Sequence, residues 1–246
     1  WHLAELADTL TCARADYGMD VRRNDVAGFA AVDDLAICAA PALQTLSGNH
    51  FGVELEVDKR IPIGGGMGGG SSDAASTLLA LNRLWELALS RTQLLAIAAT
   101  LGADVPFFIG GAPAMARGIG EELTLVTLPA GWIAIACPPV AIRTADIFAA
   151  PELTRNTASA KINVFSEGYG HNDLQMVAVA KAPEVRNAIS ALSDAAPHAR
   201  MTGSGACAFA LCASEAVARH AVASLPPSFH GFVARTIARH PLAGFA

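Results

Sequence analysis

The amino-acid sequence predicts an α+β protein that contains two units. Residues 52–57 alternate apolar and polar side chains with the period of two that is typical of a half-buried strand. Six glycines in the seven positions 64–70 follow this strand, and apolar side chains then recur at helical spacing between Ala74 and Trp85. Strands and helices start afresh beyond about Gly118. We therefore expect a first unit over residues 1–118 and a second α+β unit over residues 119–246.

The other elements follow from the same periodicity and from residues that begin or end helices. Ser71, Ser72 and Asp73 suit the N-cap and first turn of the helix behind the glycines, and Gly102 suits the end of a helix at 92–101. The first unit should also contain a strand at 9–14 and a helix at 35–46. For the second unit we expect strands at 124–127, Trp132–Cys137, 207–211 and 231–236, and helices at 174–179, 183–192 and 214–223.

Composition narrows the classes of function. Hydrophobic residues make up 52% of the 246 residues and charged ones 16%, which allows a sizeable core and argues against disorder. The net charge is −5 without any basic run, which disfavours a general nucleic-acid binder. No apolar run is long enough for a bilayer and no signal peptide is evident, so we expect a cytoplasmic protein that contacts no membrane. Five scattered cysteines predict buried, reduced thiols rather than a zinc site or disulfides.

The glycine run is the most informative stretch for chemistry. Glycine loses the most conformational freedom on folding, so such a run indicates positive φ angles or a backbone that approaches a ligand closely. Successive amides ahead of a helix N-terminus direct donors and partial positive charge at one point, which suits a phosphate group. A flexible turn is the alternative. A Walker A loop is excluded because Ser71 stands where its lysine should be, and the dinucleotide fingerprint matches only in letters, since no acidic residue follows about 20 residues on.

Asp104 is the second candidate, a carboxylate among apolar neighbours just beyond a helix end. It could be an ordinary N-cap or turn aspartate. It could also be the base that takes, or strongly hydrogen-bonds, a hydroxyl proton during phosphoryl transfer, a reaction in which positioning and charge dominate. A third stretch, residues 201–209, is a loop of small residues that runs into a strand, and by itself it is compatible with a simple turn.

These three stretches together resemble the GHMP kinase superfamily. Residues 62–72 resemble its phosphate loop, residues 101–108 its L-G-A/S-D-V/I-P signature, and residues 201–209 its third motif, which packs against the phosphate loop. The triple glycine preceded by Asp58, Lys59 and Arg60 is similar to the cytidyl-methylerythritol branch in particular. The fold implied is two-lobed, with a ribosomal protein S5-like first lobe and a ferredoxin-like second lobe. The active site is expected in the cleft between them.

The resemblance also implies roles for individual residues. Asp104 would be the catalytic base, and Lys59 would lie near the nucleotide. Ser71 or Ser72 would lie near a Mg²⁺ ion. The residues expected to wrap the phosphates of ATP are Pro62, Ile63, Gly64, Gly65, Gly66, Met67, Gly68, Gly69, Gly70, Ser71 and Ser72.

The acceptor site has its own resemblance at residues 139–148. Thr144 would contact the substrate and Phe148 would stack on cytosine, with simple core filling as the alternative for Phe148. Residues 152–157 and 172–174 match positions of the family that we interpret as structural. Asp33, Asp34 and Leu35 resemble a stretch near the adenine, where relatives often carry an asparagine at the position of Asp34.

The activity implied is transfer of the γ-phosphate of ATP to the 2-hydroxyl of 4-diphosphocytidyl-2-C-methyl-erythritol, by a monomer or weak homodimer. Another GHMP kinase, of the homoserine or mevalonate-pathway type, remains an alternative. Full-length relatives open with a P-A-K-L/I-N-L strand and a G-Y-H turn, which have no counterpart in this sequence starting at Trp1. We expect the protein to carry such a segment. A chain without it could bind ATP and transfer nothing.

Overall fold

Helices cover two separate main sheets in the computed structural model, which describes residues 1–16, 20–22, 24–25, 34–118, 120, 122–157 and 170–246. Within these residues the strands are β1 (Leu3–Ala4), β2 (Thr9–Ala15), β3 (Asp20–Arg22), β4 (Gly52–Asp58), β5 (Ala114–Arg117), β6 (Glu122–Leu125), β7 (Trp132–Cys137), β8 (Arg200–Met201), β9 (Ala208–Cys212) and β10 (His230–Ile237). The helices are α1 (Leu35–Ser47), α2 (Gly69–Leu84), α3 (Arg91–Leu101), α4 (Val105–Gly110), α5 (Thr144–Phe148), α6 (Leu174–Lys181), α7 (Pro183–Ser193) and α8 (Glu215–Ala223).

The first unit is built on the sheet β2-β4-β3, in which β4 pairs antiparallel with β2 and parallel with β3. Helices α1, α2, α3 and α4 pack on one another beside this sheet, around the buried face of α2. Leu78, Leu79 and Leu81 of α2 are fully buried there. The α2 helix therefore carries the core of this unit, and the glycine loop is fixed to its N-terminus.

We expect Leu78→Ala to lower the free energy of unfolding by about 2–5 kcal/mol, since it leaves a cavity where the side chain has no exposure. Leu125→Ala is the matched control, because the Leu125 side chain is 67% exposed on β6 and its loss should change stability by less than about 0.5 kcal/mol. Urea unfolding followed by circular dichroism measures both. Equal losses for the two variants would contradict this placement of the core.

The second unit is built on the sheet β1-β10-β7-β9-β8, in which all neighbouring strands are antiparallel. Leaving β1 aside, its four strands stand in the order fourth, first, third, second along the chain. Helices α6 and α7 lie between β7 and β8, and α8 lies between β9 and β10. This is the β-α-β-β-α-β arrangement of a ferredoxin-like lobe, as the resemblance implies.

Each end of the chain packs against the unit to which it does not belong in sequence. Strand β1, at the start of the chain, pairs with β10 in the second sheet. In the other direction, the Arg91 guanidinium on α3 donates hydrogen bonds to the carbonyls of Ala243 and Ala246 near the end of the chain. Leu242 and Phe245 pack against the core around α2. The division at residues 118 and 119 stays a prediction, and each unit is completed by a terminus that lies outside it in sequence.

Two predictions of local structure are wrong. The helix behind the glycine loop begins at Gly69 with Gly68 as its N-cap, so Ser71 and Ser72 lie in the first turn, as predicted, but neither they nor Asp73 cap the helix. Gly68 has a φ of +71°, which glycine adopts without strain, and the N–H of Ser72 donates to its carbonyl at 2.8 Å. The strand predicted at 124–127 lies two residues earlier, at Glu122–Leu125, because its register is set by antiparallel pairing with β5.

No disulfide joins the five cysteines, all of which lie in the described part of the chain. Cys137, Cys207 and Cys212 are buried, as predicted, whereas the prediction of burial is wrong for Cys12 and Cys38, which are partly exposed. A hydrogen bond to Cys137, together with burial, raises the pKa of Cys207, so this thiol stays protonated. Among the described helices, none combines the length and apolar character that a membrane span requires.

Candidate active site

The glycine loop connects β4 to α2 in a tight course that two glycines make possible. Gly66 has a φ of +72°, and a Cβ there would collide with the backbone of Thr202 and would lie 2.8 Å from the nitrogen of Gly205. Gly68 has a φ of +71°, and a Cβ there would lie 3.2 Å from the Phe108 ring. The loop therefore leaves no room for side chains at these positions. The first amides of α2 come directly after it, where helix amides and the helix dipole attract anions.

The loop of small residues at 202–207 packs on the glycine loop through the backbone. The N–H of Ala206 donates to the carbonyl of Gly64 at 3.2 Å, and the N–H of Cys207 donates to that of Gly65 at 3.3 Å. The Thr202 hydroxyl donates to the carbonyl of Gly66 at 3.0 Å. This is the packing that the resemblance implies for the third motif. The second unit thus holds the glycine loop of the first.

A cavity of about 990 Å³ lies between the units, and its wall is formed by residues of both. The candidate residues in its wall are Gly66, Met67, Gly68, Ser72 and Asp104, together with Gly203 of the third motif. The other residues predicted for the site lie outside this wall: Lys59, Pro62, Ile63, Gly64, Gly65, Gly69, Gly70, Ser71, Thr144 and Phe148. The middle of the glycine loop and the candidate base therefore face one volume.

Asp104 lies between α3 and α4, with its side chain exposed to the cavity. It occupies the N-cap position of α4 but has α-helical backbone angles and caps no N–H group with its side chain. Within the described part of the chain, no hydrogen bond or salt bridge holds its carboxylate. Desolvation by the surrounding cavity wall raises the pKa of Asp104. A carboxylate that is not used in the fold and has a raised pKa has the properties of a general base.

The cavity wall contains oxygen atoms that could bind a Mg²⁺ ion. The Ser72 hydroxyl and the Asp104 carboxylate both line the cavity, and oxygen ligands of this hard type are those that Mg²⁺ prefers. The donor set therefore fits the ion when it arrives with ATP phosphates. Ser71 is not part of the wall. Among the described residues there is no cluster of three or more histidine, cysteine or acidic side chains that could hold a metal without a phosphate.

The Lys59 ammonium is held by the carboxylates of Asp8 and Asp73, both of which line the cavity. Its Nζ is 2.5 Å from Oδ2 of Asp8 and 2.8 Å from Oδ2 of Asp73. Burial lowers the pKa of Lys59, but the hydrogen bonds to Asp73 and Asp8 outweigh it, and the pKa is raised overall. Burial raises the pKa of Asp73 against the opposing effect of the Lys59 ammonium. The expected position of Lys59 near the nucleotide stays a prediction, and the ammonium already has two anionic partners.

Thr144 and Phe148 lie on α5, four residues apart and therefore on one face of this short helix. The Thr144 hydroxyl is 2.8 Å from the hydroxyl of Ser204, which follows Gly203 of the cavity wall. Phe148 is 50% exposed, so it does not fill the core. In the segment predicted to be structural, Asn172 donates hydrogen bonds from Nδ2 to the carbonyls of Met201 and Gly203 and so supports the third motif.

The stretch expected near the adenine is described only in part. Asp33 lies outside the described residues. Asp34 is buried and is the N-cap of α1, where its Oδ1 accepts the N–H of Ala36 at 3.0 Å. Its Oδ2 lies 2.8 Å from Nη1 of Arg22 in a salt bridge. Both oxygens of Asp34 thus have partners within the first unit.

Sequence reasoning missed three residues that hold this site together: Asp8, Asp73 and Ser204. Asp73 had a signal in the sequence, since it shares a helix face with Thr77 and Leu81, which are both buried, and a carboxylate on such a face needs a cationic partner. The sequence contains no such signal for Asp8, because its partner Lys59 is 51 positions away in the chain. Ser204 belongs to the third motif, but its partner Thr144 is 60 positions away.

Two family models match the chain. The GHMP kinases N terminal domain matches residues 34–112, and the GHMP kinases C terminal domain matches residues 150–230. The 4-diphosphocytidyl-2-C-methyl-D-erythritol kinase of Thiobacillus denitrificans is 49% identical over 245 residues, which cover 100% of this chain and 88% of that protein.

Solved structures agree with this similarity. A crystal structure of 4-(cytidine 5'-diphospho)-2C-methyl-D-erythritol kinase matches with a TM-score of 0.79 at 31% identity, over 95% of this chain and 87% of the other. The homoserine kinase of Cytophaga hutchinsonii matches with a TM-score of 0.68 at 17% identity, over 95% and 86% of the two chains. At that identity the homoserine kinase shows a shared fold alone.

These matches define the class as a small-molecule kinase with the α+β GHMP fold, which uses ATP. The chain belongs to the GHMP kinases and, at 49% identity over its full length, to the family of the 4-diphosphocytidyl-2-C-methyl-D-erythritol kinases. The predictions of fold, enzyme class and family are confirmed. The roles of the individual site residues, and the Mg²⁺ ion, stay predictions.

Proposed function

We propose that this protein transfers the γ-phosphate of ATP to the 2-hydroxyl of 4-diphosphocytidyl-2-C-methyl-D-erythritol, in the non-mevalonate route to isoprenoids. The observation that carries the proposal is the shared cavity, in which Asp104 faces the middle of the glycine loop. A phosphate cradle and a carboxylate base in one volume are the two parts that phosphoryl transfer to an alcohol requires.

Different residues of the site would have different roles in phosphoryl transfer. Amides of the glycine loop and of the first turn of α2 bind the phosphates of ATP and stabilise the charge that develops during transfer. Ser72 would hold a Mg²⁺ ion, which supplies a further positive charge at the phosphates when bound. The Asp104 carboxylate orients the acceptor hydroxyl and accepts its proton. The backbone contacts of the third motif keep the glycine loop closed against the second unit.

Acceptor recognition would use α5. Phe148 is half exposed on the same helix face as Thr144, whose hydroxyl partner Ser204 directly follows the cavity wall. An exposed aromatic ring can stack on cytosine, while hydrogen bonds to the base edge would supply specificity. A binding surface for the cytidyl group beside the cavity distinguishes this proposal from a homoserine or mevalonate kinase, neither of which needs one.

Phe148→Ala should weaken binding of the cytidyl substrate by about 1–3 kcal/mol, the size of one base–aromatic stack, and leave ATP binding unchanged. Isothermal titration with each ligand measures the two affinities separately. Phe51→Ala is the matched control, because Phe51 is also exposed but lies directly before β4 in the first unit, where its ring packs under the Arg14 guanidinium. Loss of affinity for both ligands would indicate a general effect on folding, and loss for neither would remove Phe148 from the acceptor site.

Competition by cytidine nucleotides tests the proposed function itself. CDP should inhibit the kinase reaction competitively against the acceptor, because it carries the cytosine and diphosphate that the acceptor site would recognise. Uridine diphosphate is the matched control, since its base differs at the hydrogen-bonding edge. Equal inhibition by both nucleotides, or competition with ATP alone, would contradict a cytidyl-specific acceptor site.

A further inference from the structure

The side chains of Asp8, Lys59 and Asp73 form a nearly buried group of three charges at the base of the glycine loop. The side chain of Asp8 is 0% exposed, that of Asp73 is 5% exposed and that of Lys59 is 17% exposed. The Lys59 ammonium bridges the carboxylates at 2.5 and 2.8 Å. Burying charges is costly unless they are paired and hydrogen-bonded, and in this group the ammonium satisfies both anions. We call this group the charge triad.

The charge triad joins three segments that are distant in sequence. Asp8 precedes β2, Lys59 follows β4, and Asp73 lies in the second turn of α2. The Oδ1 of Asp8 also accepts the backbone N–H groups of Arg60 at 2.6 Å and Ile61 at 2.8 Å. Asp8 therefore fixes both the side chain of Lys59 and the backbone that leads into the glycine loop.

The far end of the loop is held by the same residues. A Cβ on Gly69, the first residue of α2, would lie 3.0 Å from Cγ2 of Ile61 and 3.3 Å from Nζ of Lys59. The start of α2 thus packs directly on Ile61 and the Lys59 ammonium. These contacts hold the entry and the exit of the glycine loop against each other.

We infer that Lys59 is a positioning residue for ATP, which acts through Asp8 and Asp73 and sets the distance between the two ends of the glycine loop. An ammonium that is shared by two carboxylates is not a free cation for a phosphate group. Lys59 affects ATP binding indirectly, because it orients the amides of the glycine loop and of the first turn of α2. This inference rests on the proposed function, in which the glycine loop binds the phosphates of ATP.

The test is a set of ATP titrations on the full-length protein with three variants. Asp73→Asn keeps the shape and one hydrogen bond to Lys59 but removes a charge, and Lys59→Met removes the ammonium. The double variant Lys59→Met/Asp73→Asn leaves one fewer unpaired buried carboxylate, so it remains informative where Lys59→Met folds poorly. Lys181→Met and Asp194→Asn are the matched controls, since both residues are exposed and lie outside the cavity wall.

We expect Asp73→Asn and Lys59→Met each to raise the Kd for ATP by about tenfold. The double variant should bind ATP no more weakly than Lys59→Met, because the three residues act as one unit. The Kd for the cytidyl substrate should stay unchanged in all three. An effect on ATP without an effect on the acceptor separates positioning of the loop from general loss of structure.

Two results would overturn the inference. If Lys59→Met weakens ATP binding while Asp73→Asn leaves it unchanged or tighter, Lys59 contacts the phosphates directly. If neither change alters ATP affinity, the charge triad serves stability alone. Because ATP binding is measured without any acceptor, the inference can fail while phosphorylation of the cytidyl substrate is observed. Equally, it can hold while that phosphorylation is absent.

Discussion

Asp104→Asn should lower kcat by about 10²-fold or more, in line with the loss of a general base, and should leave the Kd for ATP within a few-fold of the wild-type value. The carboxylate faces the cavity and caps no helix N–H with its side chain, so its replacement removes no contact that the described fold uses. Rapid-quench measurement of single turnovers tests the chemical step directly. Asp194→Asn, at an exposed helix end, is the matched control.

The pH dependence gives this variant a second readout. Desolvation raises the pKa of Asp104, so its carboxylate ionises at a higher pH than that of an ordinary aspartate. The wild-type kcat/KM should therefore rise with pH through that raised pKa, and the residual activity of Asp104→Asn should lack this limb. Because a raised carboxyl pKa means that ionisation costs stability, the variant should melt at neutral pH no earlier than the wild type. Wild-type turnover in the variant would contradict the assignment.

Gly66→Ala should raise the Kd for ATP at least about tenfold, the second of the two largest effects we expect. A Cβ at this position collides with the backbone of Thr202, and the residue would also have to keep a φ of +72°. Relief of that contact requires the glycine loop and the third motif to separate, which redirects the amides that bind phosphate. Equilibrium titration with ATP measures the effect.

Gly131→Ala is the matched control for this change, since no atom lies within 4 Å of its Cβ position and its φ is not positive. It should keep both the Kd for ATP and the unfolding midpoint of the wild type. Unchanged ATP affinity in Gly66→Ala, with the circular-dichroism spectrum preserved, would mean that the loop is only a connection between β4 and α2.

The sequence predicted best the parts of the fold that local signals determine. Helix α3 begins one residue before the predicted position because Ser90 and Gln93 form a capping box, and strand β7 has the predicted bounds. The glycine loop was recognised because a run of this composition has few other uses. Each of these features is determined by residues that are close together in the sequence, so the sequence is sufficient to predict it.

What the sequence did not predict depends on partners that are distant along the chain. Strand β1 is two residues long and exists only because β10 lies beside it. Helix α2 begins after Gly68, whose backbone is left-handed, and not after one of the serines that usually cap helices. The charge triad brings together positions 8, 59 and 73, and no pattern within one segment could show that contact.

The most direct test of the proposed function compares three acceptors in one assay. The full-length protein is incubated with ATP and either 4-diphosphocytidyl-2-C-methyl-D-erythritol, mevalonate or homoserine, while ADP release is followed and the product is identified by phosphorus NMR. We predict ADP release with the cytidyl acceptor alone, and one new phosphomonoester at its 2-hydroxyl. Release of ADP with mevalonate or homoserine at an equal or greater rate, or phosphate on another hydroxyl, would contradict the proposal.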